Sequence, residues 1–192
     1  MKKRITAVLL CAALMIMIPM ISVKNNAAKD IEKVFNSKKE NTFVLAEALA
    51  YEYKKEYSDE TLKALALILN SNYKAGVKLK TMPKNDFIKK HGEKNYSKLE
   101  NTAEEFEDKC LVYKGKAAPV PYAFVTSGKT EGNKKYPYIK NTACPWDALS
   151  KRSDESAAVS LNSINKLCGL GLSYTEALAG FADLDIMIKT AA

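Results

Sequence analysis

Two glutamates, Glu47 and Glu52, lie in the apolar stretch from Phe43 to Tyr53 (FVLAEALAYEY), and the chemistry open to them is proton transfer. A carboxyl group sheltered by apolar neighbours keeps its proton to higher pH, so it can act first as an acid and then as a base. Five positions apart on a helix, the two point about 140° from one another, which lets one face inward while the other meets solvent. The plainer alternative is that both are solvated helix charges. Other kinds of catalysis have little to work with. The one histidine, His91, sits in a polar stretch (IKKHGEKNY) and is read as a surface loop residue. Cys110, Cys144 and Cys168 are far apart and lack a C-x-x-C spacing, so they are read as small buried hydrophobes rather than zinc or redox groups. With no glycine-rich phosphate cradle, neither a metal nor a cofactor is expected.

Local pattern indicates the elements that would position these residues. The run from Phe43 to Tyr57 has apolar positions at helical spacing. Ser58 then supplies an N-cap and Asp59 and Glu60 first-turn acids for a second helix, whose continuous apolar character (TLKALALILNSNY) marks it as the central core helix. Two more helical patterns follow, Asn85 to His91 and Tyr96 to Lys109, the second with an apolar stripe of Leu99, Ala103 and Phe106. After Cys110 the character changes. The segments CLVY and VPYAFVTS flank the turn KGK and predict a β-hairpin. A polar loop from Gly128 to Pro137 leads to the aromatic segment YPYIKNTACPWD, and long ordered loops tend to carry function. The end is expected to be a helical tail: LNSINKLCG stops at Gly169, and Ser173 and Glu176 have capping-box spacing. The fold class expected is α+β, a helical N-terminal part packed against a small antiparallel β portion with a helical C-terminal tail, in a single domain.

The N-terminus bears on location. Met1-Lys2-Lys3-Arg4 is a positive region, and Ile5 to Val23 follows as 19 residues without a charge, long enough to span hydrocarbon. The positive-inside rule then leaves the rest of the chain outside the cytoplasm. The segment is read as an uncleaved single-pass anchor; secretion after cleavage near Asn26-Ala27-Ala28 is the alternative. Cys11 lies within the apolar run with Leu10 before it, where a lipoprotein site requires a small residue. Residues 1–28 are thus taken as signal or anchor, 29–42 as spacer and 43–192 as the domain. Net charge is +8, of which Lys2, Lys3 and Arg4 account for three, leaving +5 to attract polyanions. Outside a membrane those polyanions are lipid head groups and wall polymers rather than nucleic acid.

Three collinear segments between Phe43 and Asp147 carry a resemblance. EYKKEYSDETLKA (Glu52 to Ala64) is similar to a family stretch in which a glutamate precedes E-A-L-K-A. LVYKGK with TSGKTE (Thr126 to Glu131) is similar to a strand and an S-G-G-x-T-E loop, and YPYIKNTACPWD to P-Y-L-x-x-V-x-S-P-W-D. The family so resembled is that of stage II sporulation protein D. The resemblance implies a peptidoglycan lytic transglycosylase that cuts glycan strands stripped of stem peptides, leaving 1,6-anhydromuramic ends, during sporulation and engulfment. It implies Glu52 as catalytic acid and base. It also implies other wall hydrolases, such as an amidase, and membrane engulfment proteins as partners.

From the loop, Thr126, Ser127, Thr130 and Glu131 could hydrogen-bond sugar hydroxyls, or else form a polar turn that shapes the site. Tyr138 and Trp146 offer flat faces for sugar rings; Tyr138 is taken as substrate-binding and Trp146 as a core anchor. The chain departs from the family pattern at Lys54, Leu65 and Asn70, where the family has proline, glutamine and arginine, and the family's histidine and cysteine zinc ligands are not recovered. These departures motivate the rival reading, a non-catalytic glycan-binding or amidase-enhancing module.

Overall fold

A computed structural model describes residues 40–148 and 158–188. The apolar run, Cys11 and most of the spacer lie outside the described residues. Among the described residues no helix is long and apolar enough to cross a membrane. The chain divides into two units, Met1–Asn41 and Thr42–Ala192, and the fold below is that of the second. It is α+β, as expected.

The first helix, α1, runs over residues 40–52 and buries Leu45, Ala46, Ala48 and Leu49. It stops five residues short of the expected end at Tyr57. The chain must reverse before the next helix, and it does so through a turn closed by the Tyr57 amide on the Lys54 carbonyl, with the Tyr57 ring buried. Ser58 then caps α2 (Asp59–Lys74), its Oγ accepting from the Thr61 amide at 3.1 Å. Leu62, Leu65, Ile68 and Leu69 are all buried, and α2 packs against the later helices and the main sheet, so it is the central core helix. Its last turn buries three consecutive polar residues that work as clamps. The Asn70 amide donates to the carbonyls of Phe106, Glu107 and Lys109, Ser71 Oγ accepts from the Leu111 amide, and Asn72 bonds both the N–H and the carbonyl of Val120.

Helices α3 (Lys84–His91) and α4 (Glu93–Phe106) meet at Gly92, whose φ of 84° lets the chain turn between them. The expected stripe of α4 is buried, with Tyr96 added to it. Strand β1 (Lys109–Tyr113) turns through Lys114 and Gly115, both at positive φ, into β2 (Lys116–Ala117).

The expected pairing of CLVY with VPYAFVTS does not form. Pro119 and Pro121 cannot donate to a ladder, and Asn72 occupies Val120 between them. The second segment supplies instead β3 (Tyr122–Ala123), which pairs in parallel with β6 (Val159–Ser160), so the β portion is not wholly antiparallel. A third pair joins β4 (Lys129–Thr130) to β5 (Thr142–Ala143).

After β6 come α5 (Leu161–Gly169) and α6 (Tyr174–Ala179), the latter opened by the expected Ser173/Glu176 capping box. The tail is not helical throughout. It returns as β7 (Asp185–Ile188), which pairs antiparallel with β1 to give the sheet order β2-β1-β7.

Candidate functional site

Glu52 closes α1 and is half-buried. The Tyr122 hydroxyl donates to its Oε1 at 3.0 Å. Pairing of β3 with β6 fixes Tyr122 in that position, opposite Val159. Burial raises the Tyr122 phenol far above its ordinary range, and the Glu52 charge and hydrogen bond raise it further. Tyr57 is shifted the same way, by burial first and then by the charges of Glu52 and Glu56. Both phenols therefore stay protonated, and Tyr122 remains a donor to Glu52 Oε1. Lys54, two residues on, places its ammonium 3.3 Å from the centroid of the Phe124 ring and ties the turn after α1 to the segment after β3.

From Tyr57 a surface groove of about 410 Å³ runs outward, walled by Ser58, Trp146, Asn165, Lys166 and Leu170. Trp146 is 41% exposed and Leu170 72%, so an indole face and an alkyl group are offered to solvent beside polar side chains. Asn165 holds the wall together: its Oδ1 accepts from the Ser58 amide and the Thr61 hydroxyl, and its Nδ2 donates to the Glu56 carbonyl.

Asp147 anchors the chain beside Trp146. It is 1% exposed, and its Oδ2 accepts from the Thr126 amide at 2.8 Å, the Thr126 hydroxyl at 2.9 Å and the Ser160 hydroxyl at 2.7 Å. Its Oδ1 accepts from Asn162 Nδ2 at 2.8 Å. Trp146, its neighbour in the chain, is thereby placed at the groove edge. Flat apolar faces beside amides and hydroxyls are what a sugar ring packs against, and a sheltered carboxyl nearby is what proton transfer to a glycosidic oxygen requires.

Several expected site residues lie elsewhere. Thr126 is fully buried on Asp147, and Thr130 is buried with its hydroxyl donating to the Lys140 carbonyl. Neither has surface left for a sugar, so both shape the loop rather than touch a ligand. Tyr138 is also a core residue: 6% exposed, its hydroxyl donates to the Pro119 carbonyl and its ring lies 5.1 Å from that of Tyr113. Ser127 is exposed, and Glu131 is half-buried and paired with Lys129. None of these five lines the groove.

Trp146, read as a core anchor, is the aromatic that does. His91 is no loop residue. It ends α3 and packs 4.7 Å from the Phe87 ring and 5.2 Å from Tyr53. The three described cysteines are buried and free. Among the described residues no group of three or more His, Cys, Asp or Glu side chains is arranged to hold a metal ion.

Sequence reasoning missed Tyr57, Tyr122, Asn165 and Lys166. Tyr57 stands directly before the N-cap of α2, a position where an aromatic closes a reversal. The other three carry no local signal. No family model matches the chain, and no curated protein matches it.

Proposed function

We propose that this domain is a peptidoglycan lytic transglycosylase: it holds glycan strands stripped of stem peptides in the groove beside Trp146 and cuts them with Glu52. The observation that carries this reading is a half-buried carboxylate held by a phenol beside a groove with an exposed indole wall. The resemblance of the three segments between Phe43 and Asp147 to the stage II sporulation protein D family supports it independently.

In the proposed mechanism, protonated Glu52 gives its proton to the bridging oxygen as the bond from that oxygen to C1 of muramic acid breaks. The carboxylate then takes the proton of the C6 hydroxyl on the same sugar, whose oxygen bonds to C1 and closes the 1,6-anhydro ring. Because the nucleophile belongs to the substrate, one carboxyl group suffices, unlike the paired acids of ordinary glycoside hydrolysis. Tyr122 donates to Oε1, and in this reading Oε2 is the oxygen that carries the proton. The setting proposed is outside the cytoplasmic membrane, held by the run Ile5 to Val23, in wall remodelling during sporulation and engulfment. Other wall hydrolases, an amidase among them, and membrane engulfment proteins would work alongside.

One observation favours the rival reading, a glycan-binding or amidase-enhancing module without activity: the groove is walled from Tyr57 outward and Glu52 is not part of its lining. Incubation with denuded strands separates the two. The first reading expects 1,6-anhydromuramic ends by mass spectrometry, and Glu52→Gln is expected to lower their rate of appearance by about 10²-fold or more. Intact strands that still pull the protein down support the rival. Cutting by Glu52→Gln at the parental rate removes Glu52 from the mechanism.

A further inference from the structure

At 1.5 Å per residue, the 16 residues of α2 span about 24 Å, and its two ends are unlike. Ser58, at the first, lines the groove beside Trp146. At the second, Tyr73 meets the start of α1 in a shallow recess of about 310 Å³ walled by Val44, Tyr73, Val77, Lys78 and Leu79. Tyr73 is 37% exposed and Val77 42%; Phe43, beside Val44 in the chain, is 52% exposed. Single exposed apolar residues are ordinary, but aromatic and branched side chains gathered round one recess mark a contact surface. Lys78 and Lys80 are exposed on the segment that closes it.

We propose that this end of the domain rests on an anionic lipid bilayer. Phe43, Tyr73 and Val77 enter the head-group region, and Lys78 and Lys80 meet the lipid phosphates. The side-chain types fit that partner: aromatic rings settle at the depth of lipid head groups, and lysines there gain from the negative surface potential. The chain outside the unit fits it too. Phe43 is the second residue of the unit that begins at Thr42. The chain before it carries the charge-free run Ile5 to Val23, and between that run and the unit stand Lys24, Lys29, Lys33, Lys38 and Lys39 against Asp30, Glu32 and Glu40. A chain arriving from a bilayer would therefore enter the unit beside Phe43. The inference rests on reading that run as an anchor. Its consequence is that the groove, at the far end of α2, is held off the lipid by at most the length of that helix, about 24 Å, on the side where wall polymers lie.

The test uses the full chain in bilayers of phosphatidylglycerol mixed with brominated phosphatidylcholine, in a Trp146→Phe background. A tryptophan introduced by Val77→Trp is expected to be quenched several-fold more than one introduced by Leu170→Trp beside the groove. Adding Phe43→Ser and Lys78→Glu to the Val77→Trp chain is expected to bring its quenching down to the Leu170→Trp level. Flotation with the vesicles reports on the anchor separately. A chain that floats but is quenched equally at the two positions overturns the docking and leaves the anchor standing. One that does not float overturns both. If the Val77→Trp residue is shielded from bromine in a chain that sediments as a dimer, a second copy covers the face and the docking is overturned. All these substitutions fall at exposed positions, and matching circular dichroism spectra establish that the variants are folded.

Discussion

Glu52, whose charge reaches Tyr57, and Asp147, which follows Trp146, are two carboxylates outside the groove lining, and they are held in opposite ways. Asp147 is almost completely buried and accepts four hydrogen bonds, from the Thr126 amide and hydroxyl, Ser160 and Asn162. Its acceptor capacity is used up in joining the chain around residue 126 to β6 and the start of α5. Glu52 is half-buried and accepts the Tyr122 hydroxyl on Oε1. The same functional group serves as a structural tie where donors converge on it, and stays available for proton transfer where they do not. Burial alone is therefore a poor guide to which acid keeps acceptor capacity free.

The largest test of this contrast is Asp147→Ala. It strands an amide, two hydroxyls and a side-chain amide in or near the core, and is expected to cost about 4 kcal/mol, read from urea denaturation. Thr126→Val keeps the shape and the backbone N–H bond but removes one donor, for an expected loss of about 1 kcal/mol in the same measurement. Glu52→Gln is smaller still on this scale. The Tyr122 hydroxyl can still donate to an amide oxygen, with only the charge assistance lost, so the change in stability is expected to stay below about 1 kcal/mol even though the acid is gone. A Glu52→Gln variant as unstable as Asp147→Ala would erase the distinction and make Glu52 a second structural tie.

Features written in a few adjacent residues were legible. Ser58 and the Ser173/Glu176 pair act as caps, and the apolar run of α2 is the core helix, because caps and helical periodicity depend on neighbours three or four positions away. What failed depended on distant partners. The apolar residues after Lys116 read as the return strand of a hairpin, but two prolines and the Asn72 side chain, 48 positions back, divert them to β6. β7 was invisible because its strand character comes from docking beside β1. The groove depends on Asn165 meeting Ser58 across 107 positions, and no local pattern encodes that. Thr126 and Thr130 illustrate a different error: hydroxyls in a loop look ready for a ligand, and only their burial reveals that the protein already uses them.

His91 provides the gentlest way to sharpen the contrast, because it touches one side of it. The ring packs against Phe87 and against Tyr53, the residue after Glu52. Burial, with the positive charge of Lys90 beside it, holds the imidazole below its ordinary value of 6.5. Above that value the ring is neutral in the folded and unfolded chain alike, and its contribution to stability is complete. As pH falls below 6.5 the unfolded chain takes up the proton more readily. The folded state therefore loses stability until the pH passes below the folded value, where the loss levels off. Denaturation between about pH 7 and about pH 5 is expected to show this decline in the parent and a flat profile in His91→Phe, since most carboxylates titrate lower. Hydrogen exchange over the same range is expected to rise first in α3 and around Tyr53, with the amide of Thr126 on Asp147 unchanged. Equal loosening at both would mean that the two carboxylates belong to one cooperative unit, and that the freedom of Glu52 is borrowed from the ties around Asp147.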